Sequence, residues 1–145
     1  MQLYDANQKL IVGWFSFTCC EDSTILFTEL LNYHLDDWKK LVEFRYLKAL
    51  KTNNSIENLD VAFIEGAISS KKQLDDVKKI RDNSKYVVAI GSCACTGMPS
   101  SSRNDFDDKE INEKIKWYLS HFDYSDKVIK LNDAIKVDDM VDGCP

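Results

Sequence analysis

Tyr86-Val87-Val88-Ala89-Ile90-Gly91-Ser92-Cys93-Ala94-Cys95-Thr96-Gly97 joins an unbroken apolar run to a glycine-punctuated segment that carries two thiols. The run reads as a strand buried on both faces, as in the interior of a parallel sheet. The segment after it reads as a loop where backbone can approach an inorganic group closely, since neither Gly91 nor Gly97 has a Cβ. The other cysteines are Cys19 and Cys20, just after Ile11-Val12-Gly13-Trp14-Phe15-Ser16-Phe17, and Cys144 in Asp142-Gly143-Cys144-Pro145. Cysteines scattered as small core hydrophobes would fall on strand and helix faces. These five occupy three short loop-like stretches, which predicts a fold that gathers thiolates around a metal.

Toward the N-terminus, Leu10 to Phe17 reads as a second doubly buried strand, with Cys19 and Cys20 beyond its end. Phe27, Leu30, Leu31, His34, Leu35 and Trp38 recur at three- and four-residue steps and mark one face of a helix, opened by Asp22, Ser23 or Thr24 as N-cap. The amides at its start would favour an anionic centre beside the cysteines. Leu41 to Leu47 alternates and reads as a strand near a sheet edge, and Leu59 to Ile64 as a buried strand ending in Glu65-Gly66. Ser70 can cap a helix from Lys71 to about Asn83 with Leu74, Val77 and Ile80 on its apolar stripe. Pro99 to Asn104 reads as a polar loop, Asp107 and Asp108 as the opening of a third helix, and Val128 to Leu131 as a fifth strand. Strands and helices alternating at this spacing predict an α/β fold: a flavodoxin-like three-layer α-β-α sandwich with a parallel sheet of about five strands. Ligands of such sheets bind beyond the carboxyl ends of the strands. The Cys19-Cys20 pair, Glu65 and Cys93 all fall there.

Composition narrows the function. A chain of 145 residues fits one domain over residues 1–145, ending at the last cysteine motif, and can bury about two-thirds of its unfolded surface. The net charge of −5, from 24 acidic and 19 basic residues, is interspersed and does not suggest nucleic acid. No signal-peptide pattern opens the chain and no run could span a bilayer, so a cytoplasmic location is expected. Five cysteines cannot all pair, and a reducing compartment disfavours disulfides altogether. Thiolates suit zinc or iron–sulfur centres. The sequence has no Cys-x-x-Cys knuckle of the kind structural zinc uses, and three distant loops fit a cluster at a sheet edge better. A zinc-stabilised or dithiol-redox domain, and a cluster-free interaction subunit with a degenerate ligand set, stand as the alternatives. His34 and His121 are expected to be structural, and Arg103 an ordinary surface residue.

Four runs carry a family resemblance: Phe15-Ser16-Phe17-Thr18-Cys19-Cys20-Glu21, Phe63-Ile64-Glu65-Gly66, Ile90-Gly91-Ser92-Cys93-Ala94-Cys95-Thr96-Gly97, and Gly143-Cys144-Pro145. In that order they resemble the N-terminal domain of [NiFe]-hydrogenase small subunits. The domain is shared with the cluster-bearing small subunit of respiratory complex I (the 20 kDa type of NADH:ubiquinone oxidoreductase). Within that group the sequence resembles the small, or delta, subunit of cytoplasmic archaeal [NiFe]-hydrogenases and sulfhydrogenases. The resemblance implies one [4Fe–4S] cluster and no catalytic residue in this chain, which would conduct electrons to or from the NiFe site of a hydrogenase large subunit. Further electron-transfer subunits are expected alongside. It implies ligands at Cys93 and Cys144. For the first motif, the hydrogenase pattern places ligands at Cys20 and at the position of Ser23, whereas the complex I pattern uses adjacent cysteines. Thiolate being the better iron ligand, the expected set is Cys19, Cys20, Cys93 and Cys144, with Cys95, Ser23 and Glu65 as possible accessories.

Overall fold

The structure is a computed structural model that describes residues 8–106 and 109–145. The first strand, β1 (Leu10–Ser16), is followed by α1 (Asp22–Leu41), β2 (Val42–Leu47), β3 (Leu59–Glu65), β4 (Ile68–Ser70), α2 (Lys71–Asp82) and β5 (Ser84–Ile90). A short α3 (Gly91–Thr96), a 3-10 turn over Ser100–Asp105, α4 (Lys109–His121), β6 (Tyr124–Ile129), α5 (Leu131–Ala134) and β7 (Asp139–Val141) complete the order. Five strands form a parallel sheet in the order β2-β1-β3-β5-β7. The chain leaves β1 toward one edge and returns past it to β3, so the β1/β3 boundary is the point where strand order reverses.

Alternation along the strands separates two packing faces. On one face the Trp14 indole stacks on Phe27 of α1 at 4.3 Å, with Phe63 and Phe44 beside them. On the other, Phe15, Ala62, Ile64, Val87 and Ala89 pack with Val77 and Ile80 of α2 and with Leu131 of α5. Helices thus cover both faces, giving the expected three-layer arrangement. The α2 stripe is as predicted, and Ser70 caps that helix by accepting a 3.1 Å hydrogen bond from the Gln73 amide.

Several elements differ from expectation. Val128 and Ile129 end a strand that pairs antiparallel with β4 in a separate two-stranded ribbon, and Leu131 opens a helix, so neither joins the main sheet. The fifth strand of the sheet is β7, three exposed residues that no hydrophobic pattern marks. What holds it is polar. The Asp138 carboxylate accepts from Arg81 Nη1 and from the Val87 amide at 2.8 Å, and the Asp138 amide donates back to the Val87 carbonyl. Arg81 holds the Asp138 carboxyl below the usual carboxylate range. Polar residues 100–105 form a 3-10 turn rather than a loop, since the Ser102 amide bonds the Pro99 carbonyl three residues back and the Asn104 side chain bonds both the amide and the carbonyl of Val128. The α1 stripe is narrower than predicted, with Leu31 buried but Leu30 and His34 exposed, and Leu41 ends α1 instead of opening β2. The predicted helix opening at Asp107 and Asp108 lies outside the described residues. Among the described residues no helix is long and apolar enough to cross a membrane.

Candidate metal centre

Register brings the cysteine segments together. Ser16 pairs with Glu65, Glu65 with Ile90, and Ile90 with Val141, so four parallel strands end level along one row. Just past that row lie Cys19-Cys20 after β1, Gly66 after β3, Cys93 and Cys95 after β5, and Cys144 after β7. Adjacent strands are about 4.8 Å apart, so three spacings separate the outer members of the row and the loops have only that distance to cross.

The β1 segment is held by backbone. The Phe17 amide donates to the Glu65 carbonyl at 2.9 Å, and Thr18 and Ala67 exchange two amide–carbonyl bonds at 3.0 and 2.9 Å. Gly66 makes this approach possible: its φ is +97°, and a Cβ there would lie 2.8 Å from the Phe17 carbonyl carbon. The chain then turns at Glu21, itself in the left-handed region at φ 65°, and enters α1. Cys19 packs against Cys93, Ala67 and Val128, and Cys20 is exposed. Burial pushes the Cys19 thiol up to about 11, against the hydroxyl of Ser16 at 3.6 Å, which favours the thiolate.

On β5 the predicted loop is the one-and-a-half-turn helix α3, which separates its two thiols. Cys93 is buried and faces Cys19, with the Ser100 hydroxyl 3.3 Å from its sulfur. Cys95 turns into the main core, where its thiol lies 3.7 Å from the Ala89 and Val141 carbonyls and burial raises its pKa. On β7, the exposed Cys144 Sγ accepts from the Ser92 amide at 3.4 Å. Gly91 lies between: a Cβ at this position would be 3.2 Å from Ser23 Oγ and 3.6 Å from Cys144 Sγ. Ser23 therefore lines the same hollow as Cys144.

Glu65 is 3 % exposed and bonds the start of α1. Its carboxylate accepts from the Ser23 amide (3.0 Å), the Thr24 amide (3.2 Å) and the Thr24 hydroxyl (2.5 Å). The N-cap expected from Asp22, Ser23 or Thr24 is thus supplied from another strand, and two of the amides expected to face an anionic centre are already taken. Sequence reasoning also missed Ser100 and Ser16. Ser100 donates to the Thr18 carbonyl while lying beside Cys93, and neither serine stands out in its polar or apolar run. His34 and His121 stack on Trp38 and Trp117. Arg103 is not the free surface arginine expected, since it donates to the Ser125 carbonyl and its Nη1 is buried.

The donor set decides what could be held. All five cysteines are free thiols. Among the described residues, no three Cys, His, Asp or Glu side chains converge as a single ion requires. Cys19, Cys20, Cys93 and Cys144 instead lie along one sheet edge, with the Ser16 and Ser100 hydroxyls beside Cys19 and Cys93 and the Ser92 amide donating to Cys144. This suits a centre that interposes its own iron and sulfide between thiolates.

The family profile for the NADH ubiquinone oxidoreductase 20 kDa subunit matches residues 19–145. The chain belongs to that family. Within the 20 kDa subunit family its relatives include the coenzyme F420 hydrogenase subunit gamma of Methanosarcina barkeri, 34 % identical over 114 residues, covering 77 % of this chain and 38 % of the relative. Sulfhydrogenase 2 subunit delta of Pyrococcus furiosus is 25 % identical over 142 residues, covering 92 % of this chain and 55 % of the relative. The chain therefore spans roughly two-fifths to a little over half the length of these two relatives. In fold it is similar to a chain of an NAD+-reducing [NiFe]-hydrogenase in the H2-reduced state, with a TM-score of 0.79 at 19 % identity over 95 % of this chain and 84 % of the other.

Proposed function

We propose that this 20 kDa-family chain is the electron-transfer subunit of an oxidoreductase complex. It carries electrons through one [4Fe–4S] cluster, held by Cys19, Cys20, Cys93 and Cys144, to or from the NiFe site of a hydrogenase large subunit. The observation that carries this reading is the level ending of β1, β3, β5 and β7, which puts all three cysteine segments on one edge. When bound, the cluster supplies reversible one-electron storage. The protein's part is to bind and tune. The Thr18–Ala67 bridge fixes the approach to Cys19 and Cys20, Gly91 leaves room beside Cys144, and the Ser92 amide donates to the Cys144 sulfur. Hydrogen bonds of that kind to sulfur are among the determinants of cluster potential. Cys95, turned to the core, is a spare thiol.

The edge also has the character of a docking surface. Ile25 and Leu26 follow Cys20 by one to two turns, Met98 follows α3, and Val141 precedes the Cys144 turn; they are 53, 42, 47 and 56 % exposed. Apolar side chains gathered about a redox site fit a partner that shields it. The relatives' names as hydrogenase subunits point to the same kind of assembly. Capture of the chain from its native host under anaerobic conditions is the test. The expected result is a brown complex containing a metal-bearing large subunit, with the cluster reduced under hydrogen. Recovery as a colourless monomer would contradict the proposal.

A further inference from the structure

Helix α1 starts directly after the cysteine pair, yet its N-cap residue Glu21 makes no capping bond. Glu65 does this from the end of β3, over 40 residues away in sequence. Its two oxygens take the Ser23 and Thr24 amides, and Thr24 Oγ1, which accepts from the Trp14 indole at 2.8 Å, donates a third bond to the carboxylate. A buried carboxylate is costly unless its lone pairs are filled by donors, and here three donors and the positive end of a 20-residue helix supply that compensation. The same strand end bonds the Phe17 amide through the Glu65 carbonyl. One residue thus grips both sides of the Cys19–Cys20 turn, through its carbonyl before it and its carboxylate after it.

We infer that Glu65 is the positioning residue of the cysteine turn, fixing Cys19 and Cys20 against Cys93 and bringing a carboxylate charge beside the centre. The charge part rests on the cluster reading above; the positioning part does not. Glu65 also fills the anion site that the start of α1 would otherwise offer, so that a negatively charged ligand has no open amides there. A fixed negative charge close to a redox centre disfavours taking up an electron and so lowers its potential.

Glu65→Gln keeps the shape and one carbonyl acceptor but removes the charge; Glu65→Leu removes both. Amide hydrogen exchange on the full chain reads the positioning. In Glu65→Leu the Ser23 and Thr24 amides are expected to exchange about tenfold faster, less so in Glu65→Gln, while the Gln73 amide, capped by Ser70, stays unchanged. Redox titration of the anaerobically prepared chain reads the charge, with Glu65→Gln shifting the midpoint potential upward at unchanged iron content. Unchanged exchange at Ser23 and Thr24 in both variants, or equal acceleration throughout the chain, would overturn the positioning role. An unchanged potential in Glu65→Gln would overturn the charge role. Iron-free wild-type chain would sink the cluster reading, and the exchange result would still decide the positioning role.

Discussion

Replacing Gly66 by alanine attacks the backbone joint that brings the first cysteine segment to the sheet edge. The new Cβ would lie 2.8 Å from the Phe17 carbonyl carbon, 2.9 Å from the Thr18 nitrogen and 3.1 Å from the Phe17 nitrogen. These are main-chain atoms, so no side chain can swing away. The φ of +97° adds about 1–2 kcal/mol for any residue with a Cβ. Relief requires residues 17 and 18 to move off β3, which breaks the Thr18–Ala67 pair and the Phe17–Glu65 bond, three hydrogen bonds worth about 1 kcal/mol each. The total is about 4–5 kcal/mol, a large share of the 5–15 kcal/mol typical of a domain. At about 2–4 °C per kcal/mol for a domain of this size, Tm should fall by roughly 8–20 °C. Gly143→Ala is the control: its φ is also positive, but nothing lies within 4 Å of its Cβ. Thermal and urea unfolding of the metal-free chain by circular dichroism measures both. A Gly66→Ala loss below about 1 kcal/mol, or one equal to that of Gly143→Ala, would show that the joint does not bear on the strand end as described.

Other perturbations probe the remaining joints. Because Arg81 holds the Asp138 carboxyl below its ordinary pKa, the stability that Asp138 contributes is present above the unfolded-state value of 3.8 and is lost as pH falls through the lower folded value. Urea midpoints measured from roughly pH 5 to pH 2 should therefore drop less steeply in Asp138→Asn than in wild type, and parallel curves would count against the anchor. In the metal-free chain, exposed Cys20 and Cys144 should be alkylated at least about tenfold faster at pH 8 than Cys19 and Cys95, whose thiols burial has raised; equal rates by mass spectrometry would contradict the placement. Ile64→Ala, at a fully buried position of β3, should cost about 2–5 kcal/mol, whereas Trp117→Ala, 60 % exposed on α4, should cost well under 1.

What could be read from the sequence was what depends on burial and on short motifs. The apolar runs around Phe15, Ile64 and Val88 fix three central strands, the Val77–Ile80 stripe fixes α2, and cysteines just past strand ends place the site at the carboxyl edge. What could not be read depends on polar contacts between distant residues. β7 is a strand because Asp138 meets Arg81 and Val87, not because Asp139-Met140-Val141 has a strand pattern. Glu65 stands out in the sequence as an acid at the end of a buried strand. Only the three-dimensional register shows that the amides it bonds are those of α1. The inward turn of Cys95 follows from α3 being helical, a property that the short Gly91–Thr96 segment does not announce. Ser23, raised by one family pattern, does sit with Gly91 and Cys144, but its hydroxyl shares that hollow with a thiol better suited to iron.

The proposed function turns on the ligand set. Iron and acid-labile sulfide, measured in anaerobically reconstituted wild-type chain and in five single Cys→Ser variants, read that set directly. The expected result is about four of each per wild-type chain, loss or conversion of the centre and of its reduced-state paramagnetic signal in the Cys19, Cys20, Cys93 and Cys144 variants, and full retention in Cys95→Ser. Stoichiometric zinc without iron, or full iron retention in Cys93→Ser with loss in Cys95→Ser, would contradict it.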